Sequence, residues 1–416
     1  MAALLLAAGL GPAAAADIEW AWTGAVTPTT ARVVVGLPDG SEALDLVYST
    51  QPDLSEARRT SMSSVRGDPS PRTAVADLGA LRPGTRYWFA AAAEQEAPEE
   101  AQGSFRTFEL RPETIRVAFA ACASTGSNHP VFRTIRERDP DLFIHTGDLH
   151  YEDIRRNEPG RFQAAFRRVL TSPSQQALYS HVPIAYMWDD HDYGPNNSDR
   201  TSPGRPAALL AYRQFVPHYP LAFAGGDDPV AQAWDLGRIR FVMTDLRSAR
   251  DPARQENPSM LGAEQKLWLK RQLLQHRDRP LTVWISTVPW TAEPRRGADH
   301  WGGYVEERRE IADFLKENRI GNVVILAGDA HMLAIDDGTN SDYADGGGAP
   351  IPIFVAAALD RRGSVKGGPY SHGTFPGRGQ FGLMEIEDRG EQGVRVVWTG
   401  RNHENEVIVR HEFERP

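Results

Sequence analysis

Cysteine is almost missing from this chain. Cys122 is the single one in 416 residues, which excludes an intrachain disulfide and leaves its thiol as either a small buried apolar group or a chemically employed one. Basic residues are outnumbered, with 46 Lys and Arg against 55 Asp and Glu and a formal net charge of −9. That balance argues against a nucleic-acid partner, because phosphate backbones are bound through clustered Lys and Arg. An anionic ligand would need locally placed cations. Long apolar runs are also lacking beyond the N-terminus, so no internal segment is expected to span a membrane. At the N-terminus, the apolar stretch Ala2 to Leu10 and the alanines 13–16 before Asp17 fit an export signal over residues 1–16. Its usual positive segment is missing, since no Lys or Arg precedes Arg32. An exported protein, periplasmic or extracellular, is expected.

What is present has the composition of a globular protein, 41% hydrophobic and 9% aromatic, at a length that favours two domains. From Ile18 to Phe108 short β-rich runs alternate with turn signals (IEWAWTGAV, ARVVVGL, LDLVYS, TAVADL, TRYWFAAAA, GSFRTF), predicting an antiparallel β-sandwich over 17–109. The stretch Leu81 to Tyr87, LRPGTRY, resembles the turn-and-tyrosine signature of fibronectin type III domains. Beyond Pro112 the texture changes. Apolar runs (IRVAFAA, DLFIHTG, VPIAYMW, RIRFVMTDL, LTVWIST, NVVILAG) alternate with segments of helical apolar spacing, such as RFQAAFRRVL and VEERREIADFLKEN. This order predicts an α/β domain over 112–416, with further strands after Pro350. The Gly-rich stretches 345–348 and 363–379 are read as mobile surface loops.

Four of these apolar runs end in polar clusters: Cys122; Gly147-Asp148-Leu149-His150-Tyr151-Glu152-Asp153; Asp189-Asp190-His191-Asp192; and Gly328-Asp329-Ala330-His331. Crowded like charges at strand ends need a counter-charge or a task. In open α/β sheets sites form beyond the carboxyl ends of strands, so the clusters are expected to converge. Asp, His, Tyr and Cys brought together are metal ligands. Carboxylates suit hard cations such as calcium or ferric iron, while imidazole, thiolate and phenolate narrow one position toward a transition metal. Asp148, in its tight turn, is the natural bridge between two cations.

The set Cys122, Gly147-Asp148-x-x-Tyr151-Glu152, Trp188-Asp189-Asp190-His191-Asp192 and Gly328-Asp329-x-His331 resembles the alkaline phosphatase D (PhoD-like) family, a branch of the calcineurin-like metallophosphoesterases. The resemblance runs from about residue 112 to the C-terminus, and the family commonly carries a small β-sandwich in front. It implies two packed mixed sheets flanked by helices. It implies Cys122, Asp148, Tyr151 and His331 as ligands of a ferric ion, Asp148 as a bridge to calcium, and Asp190 and Asp329 as calcium ligands. Manganese or zinc at the same positions is the alternative. His191 matches the histidine near the phosphate, placed to protonate the leaving oxygen. The activity implied is hydrolysis of small-molecule phosphate monoesters or diesters by metal-activated water. The rival readings are a divalent-metal phosphodiesterase or phospholipase-type hydrolase and a catalytically degenerate cell-surface binding protein.

Asp189 and Asp192 are expected to orient their neighbours, and His150 and Asp153 to face solvent or stand behind the ligands. Asn196 and Asn197 are read either as carbonyl donors to calcium or as turn residues, and Tyr370 and His372 either as pocket borders or as solvated groups. Ser286-Thr287-Val288-Pro289 lacks the histidine that many calcineurin-like enzymes carry there, so oxygen ligands or water are expected to complete the calcium side.

Overall fold

The protein is described by a computed structural model covering residues 18–37, 44–65, 72–93, 98 and 101–416. The predicted leader, 1–16, lies outside the described residues. Two large sheets dominate. A ten-stranded sheet runs Val407–Arg415, Val394–Asn402, Gln380–Asp388, Thr114–Ala120, Leu142–His145, Ile184–Tyr186, Trp20–Gly24, Ala31–Leu37, Arg72–Leu78 and Ser63–Val65. A seven-stranded sheet runs Gln232–Leu236, Ile239–Met243, Thr282–Ser286, Val323–Ala327, Ile353–Ala356, Met332–Asp336 and Thr374–Pro376. Both are mixed: 114–120, 142–145 and 184–186 are parallel in one, and 239–243, 282–286, 323–327 and 353–356 in the other.

The sheets pack face to face. Phe119 meets Phe354 edge-on with ring centroids 4.8 Å apart, and Val117, Ile144, Val283, Ile285 and Leu326 fill the same fully buried core. Strands buried on both faces need apolar residues at every position, which is why these runs read as continuous rather than alternating. Helices cover the outer faces. Pro159–Leu170 and Arg205–Phe215 bury Phe162, Phe166, Tyr212 and Phe215 on the ten-stranded sheet's side. Gly262–Gln275 and Val305–Glu317 bury Trp268, Leu269, Ile311 and Leu315 in a second core on the other side.

Sheet hydrogen bonding crosses the boundary expected near residue 110. The strand Trp20–Gly24 pairs antiparallel with Ala31–Leu37 and meets Ile184–Tyr186 in parallel through Gly24 and Ile184. A third, four-stranded sheet (58–61, 44–49, 86–93, 103–106) packs nearby. Trp20 and Trp22 bury their rings against Phe215, Tyr179 and Tyr186, and Trp22 Nε1 donates to Phe215 O at 2.6 Å. Burying roughly 200 Å² per ring at about 25 cal/mol/Å² makes each tryptophan worth about 5 kcal/mol before entropy.

Candidate metal centre

Four parallel strands deliver the polar clusters to one place, where the carboxyl ends of the two sheets meet. The turns leaving them are unusual: Cys122, Asp148, Asp329 and His331 all have positive φ, at 64°, 56°, 59° and 49°. Left-handed backbone at non-glycine residues costs on the order of 1 kcal/mol each and persists only where the surroundings impose it. Two glycines show what imposes it. A Cβ on Gly147 would lie 2.4 Å from Asp189 Cβ, and one on Gly328 would lie 2.6 Å from Thr146 Oγ1 and 2.7 Å from Ala121 Cβ. The turns interlock at backbone distance.

Asp148 sits at the centre. Its Oδ2 accepts a hydrogen bond from Tyr151 Oη at 2.7 Å and faces the Cys122 thiol at 3.4 Å. Tyr151 Oη also lies 3.1 Å from His331 Nε2, while His331 Nδ1 points at Arg362 O, 2.9 Å away, which aims the other ring nitrogen inward. Candidate ligand atoms gather in three groups, each within 4.8 Å: Cys122, Asp148 and His331; Asp148, Asp190 and His191; and Asp148, Asp189, Asp190 and Asp329. Asp148 belongs to all three. Asp148 Oδ1, Asp189 Oδ2 and Asp190 Oδ1 are buried without a hydrogen-bond partner among the described residues. Buried anionic oxygens left bare are costly, and this donor set fits cations.

Proton affinities report the same crowding. Burial, then Asp190 and Asp189, pushes the Asp148 carboxyl well above the ordinary range. Burial, then Asp148, raises the Cys122 thiol and the Tyr151 phenol strongly. A cation placed here therefore displaces protons. Asp190 differs: burial pushes it up, but Arg247 and His191 bring it below the usual value.

His191 Nδ1 lies 2.6 Å from Asp153 Oδ1, and its ring lies on Tyr151 at 4.2 Å. Asp153 thus stands behind His191. His150, by contrast, is fully buried rather than facing solvent, and its backbone N–H donates to Asp192 Oδ1 at 2.9 Å. Asp192 also accepts from Asp189 N at 3.0 Å and so clamps the turn. Asp189 does more than orient: one oxygen accepts from Arg247 Nε and Thr287 Oγ1, and the other faces the cluster. The Asn197 backbone N–H donates to Asp190 Oδ2 at 2.6 Å, while Asn196 is exposed. Tyr370 is buried in the second core, its Oη donating to Lys366 O, and His372 lies against His411 instead.

Several residues escape a sequence reading. Arg247 is fully buried, and it binds Asp189 at 2.7 Å and Asp299 at 2.9 Å. It follows another apolar run, in Thr244-Asp245-Leu246-Arg247, a signal of the same kind as the four read. Asp299, on a loop, carries no such signal. Arg361 lays its guanidinium 3.9 Å over the Tyr151 ring. Lys366 Nζ contacts both oxygens of Asp329, at 2.6 and 2.5 Å. Lys366 belongs to the glycine-rich stretch 363–379. That stretch is not a detached surface loop: Gly368 N donates to Thr291 O at 2.8 Å, and 374–376 is a strand of the second sheet.

Comparison with known proteins agrees with this architecture. Alkaline phosphatase D of Bacillus subtilis (strain 168) is 24% identical over 264 residues, 51% of this chain and 45% of that protein. Purple acid phosphatase 21 of Arabidopsis thaliana is 22% identical over 294 residues, 69% of this chain and 58% of that one. The chain thus spans about half the length of these curated relatives. A solved structure of PhoD superposes with a TM-score of 0.69 over 96% of this chain and 92% of that one, at 16% identity, which shows a shared fold. The sequence model for PhoD-like phosphatase matches residues 117–371, a span that holds every candidate ligand above, and the chain belongs to that family.

Proposed function

We propose that the protein is a metal-dependent phosphoesterase acting on small phosphate monoesters, diesters or both. The observation that carries this reading is the sharing of Asp148 between a Cys/His group and an all-carboxylate group. That is the arrangement a bridged pair of unlike cations requires. Cys122, Asp148, Tyr151 and His331 would hold the ferric ion, and Asp148, Asp190 and Asp329 the calcium ion. Bound there, the cations supply positive charge for the phosphoryl oxygens and acidify a water molecule. The chain's own residues do the rest. His191, oriented through Nδ1 by Asp153, presents its other nitrogen to the leaving oxygen. Arg361, stacked on Tyr151 and without an ion-pair partner among the described residues, offers a fixed cation to a non-bridging oxygen.

The test is hydrolysis of p-nitrophenyl phosphate and bis-p-nitrophenyl phosphate, with and without chelator, alongside elemental analysis. A visible absorption band is expected from phenolate or thiolate on ferric iron, and its absence with manganese or zinc present favours a divalent pair. No hydrolysis of either ester after metal supplementation sinks the reading.

The segment 17–109 is proposed to be a fibronectin/Ig-like sandwich ahead of a catalytic unit at 112–416. The split of its strands between two sheets supports this, as does Arg82 N–H donating to Tyr87 Oη at 2.9 Å, the tie expected of a tyrosine corner. Export is proposed with it, and a mature protein beginning at Asp17 by mass spectrometry is the expected result. No helix among the described residues is long and apolar enough to cross a membrane.

A further inference from the structure

We propose that Lys366 is a built-in competitor for the second cation: its ammonium holds the Asp329 end of the cluster, and a divalent ion enters by displacing it. This rests on the two-cation reading above. Three observations converge on it.

The first is position. Lys366 Nζ straddles the Asp329 carboxylate, one of the three acids grouped with Asp148 around a single ion position. Its backbone is pinned there, because Gly368 N donates to Thr291 O and a Cβ on Gly367 would come within 2.5 Å of that same oxygen.

The second is charge. At this end stand the carboxylates Asp189, Asp190, Asp299 and Asp329, and they are met by Arg247, Arg250 and Lys366 at 2.5 to 3.9 Å. With the shared Asp148 added, five negative charges face three positive, leaving two uncompensated while Lys366 stays and three once it swings away, so a dication is held more strongly after the lysine leaves. Asp148 forms no ion pair among the described residues, so the Cys122–Tyr151–His331 end keeps its full demand for a cation.

The third is space. A cavity of about 480 Å³ opens beside the lysine, lined by Glu293, His300, Val365 and Gly367 among others. It gives the displaced side chain room and a carboxylate to face. The two ends of the centre therefore differ in affinity by design of the chain: one metal is retained, and the other loads as free divalent ion rises, its apparent affinity lowered by the fraction of time Lys366 is bound.

Isothermal titration of calcium chloride into the full chain, with iron content fixed by elemental analysis, tests this. Lys366→Met is expected to bind calcium at least about tenfold more tightly than wild type. Lys366→Arg is expected to stay near wild type, with the visible band unchanged in both. Equal or weaker calcium binding by Lys366→Met overturns the proposal. A second measurement needs no variant: reductive methylation of wild-type Lys366, read by mass spectrometry, is expected to accelerate when calcium is added, and an unchanged rate overturns the proposal too. Hydrolysis of the chromogenic esters by the same preparation separates the two readings. Active enzyme with unchanged calcium affinity sinks the lysine alone, whereas inactive protein that binds no metal sinks both.

Discussion

Asp148 keeps its two oxygens in different company, one hydrogen-bonded to Tyr151 and one bare. Asp148→Asn preserves shape and removes the shared charge, so bound metal should be lost and turnover should fall roughly 10²–10³-fold or more. Elemental analysis and ester hydrolysis measured together check this, and full turnover in the variant overturns the bridging role. His145 makes a different prediction. It is fully buried, neither ring nitrogen has a hydrogen-bond partner among the described residues, and burial brings its pKa from 6.5 down to about 3. The unfolded chain takes up this proton first, so stability is full above about pH 6.5 and is lost as pH falls toward 3, by on the order of 4 kcal/mol. His145→Phe should flatten urea midpoints across that window, and an unchanged slope would assign the acid sensitivity to other groups. At this scale the sequence was readable where a polar residue directly followed an apolar run, as with Cys122 or Asp329. Lys366 and Asp299 were not, because they reach the cluster from loops whose course depends on contacts far away in sequence.

The elements that matter most are the short turns rather than the strands. Gly147 has φ of 104° and no room for a Cβ against Asp189, so Gly147→Ala must push two strand ends apart. We expect about 2–3 kcal/mol of destabilisation and weakened metal binding, measured by thermal melting and metal content. A variant that melts like wild type would show that the turns are not interlocked. The helices and buried strands follow from apolar spacing, and those at 159–170 and 305–317 fall where the pattern put them. The strands 58–61, 63–65, 232–236 and 374–376 have no such pattern. They are short, all four lie at sheet edges, and their pairing comes from neighbours rather than from their own alternation.

For the molecule as a whole, the join between the N-terminal strands and the larger unit is structural, not a tether. Removing residues 1–111 would uncover Tyr179, Tyr186 and Phe215, now covered by Trp20 and Trp22. The 112–416 fragment should therefore aggregate on size-exclusion chromatography, and a stable monomeric fragment with full activity would show the two units to be independent. Composition, apolar spacing and the polar residues closing each run by themselves determined an α/β chain with candidate metal ligands at four strand ends, because those signals are local. Only the tertiary structure decided that Asp148 is shared, that Arg247 and Lys366 already offset part of the negative charge at one end of the cluster, and that the N-terminal strands extend the ten-stranded sheet. Each of these depends on distances between residues tens to hundreds of positions apart, which packing sets and local pattern does not encode.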